Sequence, residues 1–208
     1  MPLQVANRFQ TSDNIMRLIF LFIRKFSSAL VRFKSYLITM FVYSAVFFNR
    51  QIVLGKRCFF GRGVLLKATD GGSIAIGPGT CFGEDVQIIA RNGRVIIEND
   101  VFIGTGSIIV CMENIFIGKD TLIAEYVVIR DQDHSTRTRP IRDAGFITSA
   151  IHIGQDVWIG CKATILRGTT LGDGCVIGAH ALVKSEIPKG VLAVGVPARV
   201  TTQLGSVQ

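Results

Sequence analysis

The chain has 208 residues, with 23 Lys/Arg against 15 Asp/Glu, a formal net charge of +8 and 22 glycines. That length supports one substantial core, or one core with a small appendage. The excess charge is confined: residues 1–57 carry nine Lys/Arg and one acid, Asp13, whereas residues 58–208 carry 14 of each sign, so the body is neutral and a nucleic-acid-binding body is excluded.

In chain order, residues 14–48 read NIMRLIFLFIRKFSSALVRFKSYLITMFVYSAVFF. Arg17, Arg24, Lys25 and Arg32 cluster on one helical face, and the rest is mostly apolar. This predicts a basic amphipathic helix followed by a second helix through 36–48. The longest uncharged run, Ser35–Phe48, falls short of the roughly 20 residues that span a bilayer. Two readings stay open. One is an in-plane helix on an anionic membrane surface, placing a cytoplasmic protein on the inner face of the cytoplasmic membrane. The other is a helical cap over the open end of the next element, or a contact between copies of the chain.

From Leu54 a large apolar residue recurs every six positions, in sets of three: Leu54, Phe60, Leu66; Ile76, Phe82, Ile88; Ile97, Ile103, Ile109; Ile117, Ile123, Ile129; Ile153, Ile159, Ile165; Leu171, Ile177, Val183. The following residue is small only after first and second members, as at Gly55, Gly61, Gly160 and Gly178. A six-residue apolar beat gives short strands separated by corners, and three strands make one triangular coil. Glycine is expected where the corner bends tightly. Four residues after each of the first two members comes a second, smaller inward position, such as Cys58, Thr80, Ser107 or Ala181. Six coils about 4.8 Å apart give a prism roughly 29 Å tall. The five cysteines, odd in number and without a CxxC pair, read as reduced core residues of a cytoplasmic protein.

One coil is interrupted. RDQDHSTRTRPIRDAGFITSAIH between Ile129 and Ile153 adds about eighteen residues to the normal spacing. It carries His134 beside Asp131 and Asp133, with Arg137, Arg139 and Arg142 nearby. A histidine titrating near neutrality can act as a general base. A carboxylate would orient that imidazole, and Asp131 and Glu125 are both candidates. Asp133 and the arginines, Arg137 first, are candidate substrate contacts, an anionic acceptor against a merely solvated loop. The chain thus divides into a helical segment over 1–50, a repeat body over 51–200 with a loop at 130–150, and a tail over 201–208.

The stretch IHIGQDVWIGCKATILRGTTLGDGCVIGAHALVKSEIPKGVLAVGVPARV, residues 151–200, resembles the hexapeptide-repeat acyltransferases. The galactoside, maltose and polysaccharide O-acetyltransferase branch resembles it most. The resemblance implies a left-handed parallel β-helix, a homotrimer with sites between subunits, and acetyl-CoA as co-substrate. It also implies that His134, 24 positions before Trp158, is the catalytic base, although DQDHST replaces the His-His pair of the galactoside enzymes. By the same resemblance the Cys161 N–H faces the thioester carbonyl and Ala179 contacts the pantetheine arm. Lys184 lies near the coenzyme, and Arg199 near its adenosine phosphates, while a second family arginine is Thr202 here. Trp158 is an aromatic wall of the site or an outward residue packed on a neighbouring subunit. His152 reads as a rim or surface residue, His180 as structural or as lining the coenzyme groove, and no metal is expected. The expected function is acetyl transfer to a hydroxyl of a bacterial polysaccharide or lipid-linked glycan. The alternatives are N-acetyl transfer to an amino sugar nucleotide and a non-catalytic trimeric scaffold.

Overall fold

The expected six-residue beat becomes a stack of triangular coils. The structure, a computed structural model, describes residues 36–44, 46 and 50–205. Each first member of a set lies on face one, each second on face two and each third on face three. Face one is a six-stranded parallel sheet in the order Ile52–Leu54, Ser73–Ile76, Arg94–Ile97, Asn114–Ile117, Ile151–Ile153 and Thr170–Leu171. Its register aligns Leu54, Ile76, Ile97, Ile117, Ile153 and Leu171. Faces two and three align the other members in the same way, for example Ile103, Ile123 and Ile159, or Ile109, Ile129 and Ile165. From Phe60 to Val183 nearly all of these side chains are fully buried; Leu54 and Leu66, in the first coil, are only half-buried.

Apart from Val64 in the first coil, which is half-buried, the smaller inward positions are buried as expected, and their polar members serve the corners. Ser107 Oγ donates to Ala124 O at 3.0 Å and accepts from Val127 N at 3.1 Å. Thr121 Oγ1 donates to Gly154 O at 3.1 Å. Each hydroxyl thus satisfies a corner carbonyl that burial would otherwise leave unpaired.

The corner glycines have a different reason from the one expected. Their φ values are not positive. A Cβ on Gly160 would sit 2.6 Å from Ala179 N in the next coil, so glycine is required by close stacking. The bend falls two residues later, on left-handed residues such as Asp120, Tyr126, Asp156, Lys162 and His180. The β-helix therefore splits the work of each corner between a small residue and a left-handed one.

The N-terminal helix over 36–44 and 46 covers the open first coil. Ile38, Val42, Tyr43 and Val46 pack against the core. Tyr43 Oη donates to Gly55 O at 2.6 Å and accepts from Cys58 N at 3.0 Å; Thr39 Oγ1 accepts from Phe60 N at 3.1 Å. These bonds pair strand N–H groups that point out of the stack, so the helix seals a sheet edge. Among the described residues no helix is long and apolar enough to cross a membrane. The basic helix expected over 14–35 lies outside the described residues. At the other end, Val191–Gly195 extends face two and Ala198–Gln203 folds back on it antiparallel. The boundary expected at residue 200 falls inside that last strand.

Candidate functional site

The interrupted coil closes as if nothing had been inserted, since Ile117 pairs with Ile153 and Ile129 with Ile165. The extra residues leave from the edge between faces three and one and form an antiparallel arm. Gln132–His134 pairs with Phe146–Thr148, and Ile141–Asp143 makes a 3-10 turn near its tip. No period-two pattern in the sequence announced this hairpin.

His134 lies on the arm, exposed, directly opposite Phe146, with ring centroids 4.5 Å apart. Asp131 stands at the arm's root and is fully buried. Its Oδ1 accepts from Met112 N and its Oδ2 from Glu113 N, each at 2.8 Å. Both oxygens are thus engaged by backbone of the preceding coil, and among the described residues there is no hydrogen bond between Asp131 and His134. Asp133 points elsewhere: its Oδ2 meets Arg167 Nε at 2.6 Å, clasping the arm to the next coil. Arg137, Arg139 and Arg142 are exposed on the arm.

A second set of expected residues gathers on the edge between faces two and three. There Tyr126 N donates to Thr105 O, Lys162 N to Glu125 O and His180 N to Cys161 O, each at 2.9 Å. Glu125, Cys161 and Ala179 are therefore stacked, one coil apart. Among the described residues, no acceptor engages the N–H groups of Cys161 and Ala179. Arg199, paired with Val194, caps this column at the C-terminal end. Trp158 is 54% exposed on face two, three residues before Cys161. Lys184 is not part of the column; it follows Val183 on face three and lies on the arm's edge. His152 stacks on Phe116 at 4.7 Å, facing outward from face one, as a surface residue.

Sequence reading missed one property of face two. Its outward positions, Phe59, Cys81, Phe102, Leu122, Trp158 and Val176, are in register from coil to coil. Phe59, Phe102, Leu122 and Trp158 are all exposed, a continuous apolar ladder on a water-facing sheet. The signal was present as the residue preceding each second member of the sets.

Cysteine chemistry is quiet here. All five thiols are free, and burial pushes Cys175 up to about 11. Cys111 is raised too, by burial first and then by the Asp131 carboxylate. Among the described residues no group of three or more His, Cys, Asp or Glu is placed to hold a metal.

Known proteins share both the sequence pattern and the architecture. Residues 150–185 match the family described as bacterial transferase hexapeptide (six repeats). WbbJ of Escherichia coli K12, named as a lipopolysaccharide biosynthesis O-acetyl transferase, is 34% identical over 139 residues, covering 62% of this chain and 71% of that protein. The chain belongs to the hexapeptide-repeat transferase family. Another relative is Rv3034c of Mycobacterium tuberculosis, named as an acetyltransferase and 39% identical over 155 residues. The match covers 73% of this chain but only about half of that relative, 52% of its length. The solved galactoside acetyltransferase in complex with coenzyme A is 27% identical with a TM-score of 0.52, covering 74% of this chain and 65% of that one. AntD, an N-acyltransferase of Bacillus cereus solved with dTDP and coenzyme A, has a TM-score of 0.67 over 78% of this chain and 89% of its own. At 18% identity it shares the hexapeptide-repeat fold alone.

Proposed function

We propose that this protein is an acetyl-CoA-dependent O-acetyltransferase acting on a hydroxyl of a bacterial polysaccharide or lipid-linked glycan. The observation that carries the reading is the edge bearing Cys161, Ala179 and Arg199, with Trp158 beside it on face two, combined with an arm that presents an exposed His134. Acetyl-CoA is long and anionic. Laid along that edge, it meets two outward N–H groups one coil apart and a guanidinium at the end. The coenzyme complex of the related galactoside acetyltransferase supports acetyl-CoA as the co-substrate. Lys184, on the other edge, would reach coenzyme only across face three or from a second copy.

In the reaction the acceptor oxygen attacks the thioester carbonyl carbon as His134 takes its proton. The Cys161 N–H stabilises the oxyanion that develops. The tetrahedral intermediate then collapses, expelling the coenzyme thiolate, which recovers the proton. No acyl-enzyme forms. Asp131, held by two backbone N–H groups, acts as the anchor of the arm's root. Glu125, exposed on the coenzyme edge, is the carboxylate left to orient His134 or hold the acceptor. Arg137 and its neighbours suit an anionic acceptor, with Asp133 fixing the arm that carries them.

The two halves of this site are rooted on different edges of one prism. Association as a homotrimer, with the arm of one copy over the coenzyme edge of the next, completes it. The exposed ladder of face two supports such packing. On this reading the protein works in the cytoplasm, peripheral on the inner face of the membrane where lipid-linked glycans are built.

N-acyl transfer to an amino sugar nucleotide is the second reading, favoured by the fold shared with AntD. Incubation with labelled acetyl-CoA and a panel of polysaccharides and amino sugar nucleotides decides between them: an ester product is cleaved by hydroxylamine and an amide survives. His134→Ala should lower turnover at least about a hundredfold, the usual weight of general-base assistance, with coenzyme binding nearly intact. Full activity in that variant overturns the assignment, and binding without turnover of any acceptor favours the scaffold.

A further inference from the structure

The cap helix has two faces, and only one of them is used by the fold. Its exposed residues, Tyr36, Leu37, Met40 and Phe41, recur at helical spacing and are large and apolar; Phe41 is 72% exposed. Around them the first coil is also greasy outside: Val53 on face one and Leu65 on face three are exposed, positions occupied by half-buried Ala75 and Gln87 one coil up. An apolar groove of about 500 Å³ runs between helix and coil, with Lys56 and Arg57 at its rim.

Charge completes the pattern. Between Asp13 and Asp70 the sequence contains no carboxylate and ten Lys/Arg. Arg50, Lys56, Arg57 and Lys67 are exposed around this end of the prism, and among the described residues none of them enters an ion pair. Residues 70–208 hold 12 Lys/Arg against 14 Asp/Glu, so the rest of the body is slightly acidic. The prism is therefore polarised along its axis, with one end apolar and cationic.

From this we propose that the N-terminal end is a membrane seat, and that the prism stands end-on upon an anionic lipid surface. A second copy placed end to end would oppose two cationic rims. The segment 14–35, itself basic, would bring like charge as well. Anionic headgroups supply what both lack, while the apolar helix face enters the headgroup–acyl boundary as interfacial helices do. The arm leaves the fourth coil, three spacings or about 14 Å above the first. The site thus opens above the headgroups, where the sugar of a lipid-linked glycan would stand. This inference deepens the membrane-peripheral part of the proposed function and does not depend on the chemistry of acetyl transfer.

The full chain is tested on vesicles of phosphatidylcholine, alone or mixed with phosphatidylglycerol. It should cosediment with the anionic vesicles, less so at high salt and least with neutral ones. Leu37→Glu with Phe41→Glu, both at exposed positions, should lower that partition about tenfold without changing the melting temperature. Orientation is read from Trp158, the single tryptophan, on the fifth coil about 19 Å above the first. Brominated lipid should leave its fluorescence unquenched, and should quench Phe41→Trp in a Trp158→Phe background. Partition of the double variant equal to that of the unmodified chain overturns the seat. Quenching of Trp158 overturns the end-on stance, because a prism lying on face two would put that ring in lipid. Loss of self-association in the variant, in place of lost partition, would show that the stripe joins copies and would also overturn it. His134→Ala should bind vesicles like the unmodified chain, so failure of the seat and failure of the catalytic reading are distinguishable.

Discussion

Asp133 on the arm and Arg167 on the following coil meet at 2.6 Å although 34 positions separate them in sequence. The pair is partly exposed, so its contribution to global stability is small, about 0.2–1 kcal/mol. Its effect is local: it fixes the strand that carries His134. Asp133→Asn and Arg167→Met should each leave the melting temperature nearly unchanged. Each should lower kcat several-fold, and the double variant should be no worse than the worse single one. A double-mutant cycle on kcat checks this, and additive losses would show that the two residues act separately.

Asp131 gives the opposite pattern. Replacing it with Ala leaves the N–H groups of Met112 and Glu113 without their acceptor, at a cost of about 1–3 kcal/mol. Denaturant titration should show that loss, whereas activity per folded molecule of Asp131→Asn should keep the parent's pH profile. A displaced pH profile would instead mean that Asp131 orients His134.

The ladder on face two predicts an association phenotype. Leu122→Lys or Phe102→Lys puts a charge in the middle of an apolar strip without touching the core, since both side chains point outward. Light scattering should report a smaller particle, and acetyl transfer should fall with it. A variant that remains associated and fully active would place the subunit contact on another face.

Alkaline pH should destabilise the fold through its thiols. Cys175 is raised from 9.0 to about 11 in the folded protein, so the folded state retains a proton that the unfolded chain releases. Stability from this source is complete below about pH 9 and declines as pH rises toward about 11. Cys111, raised for the same reason, extends the decline. Melting temperature against pH should therefore fall above pH 9, less steeply in Cys175→Ala.

The β-helix was legible because its signal is repeated: eighteen apolar residues in phase suffice to define three faces and six coils. What each corner residue does was less legible. Glycine suggested a tight bend, but whether Gly160 bends the chain or clears Ala179 depends on the coil above it. The arm was visible as an excess of length around His134. Its hairpin was not, because the strands are three residues each and do not alternate. Asp131 and Asp133 look equivalent beside His134 in the sequence. Only the fold separates them, burying one under Met112 and Glu113 and turning the other to Arg167. The segment over 14–48 had two readings: Ile38, Val42 and Tyr43 of its described part pack on the first coil as a cap would, while the membrane reading rests on the proposal above.

The ladder of Ile117 on Ile153 and Ile129 on Ile165 passes across the arm without a gap. Everything between Asp131 and Ile151 is thus a cassette plugged into a finished scaffold. On the proposed function, exchanging that cassette alone would change the acceptor while the opposite edge and the core stay as they are. The same division makes this insertion the natural place for grafting specificity between relatives by design.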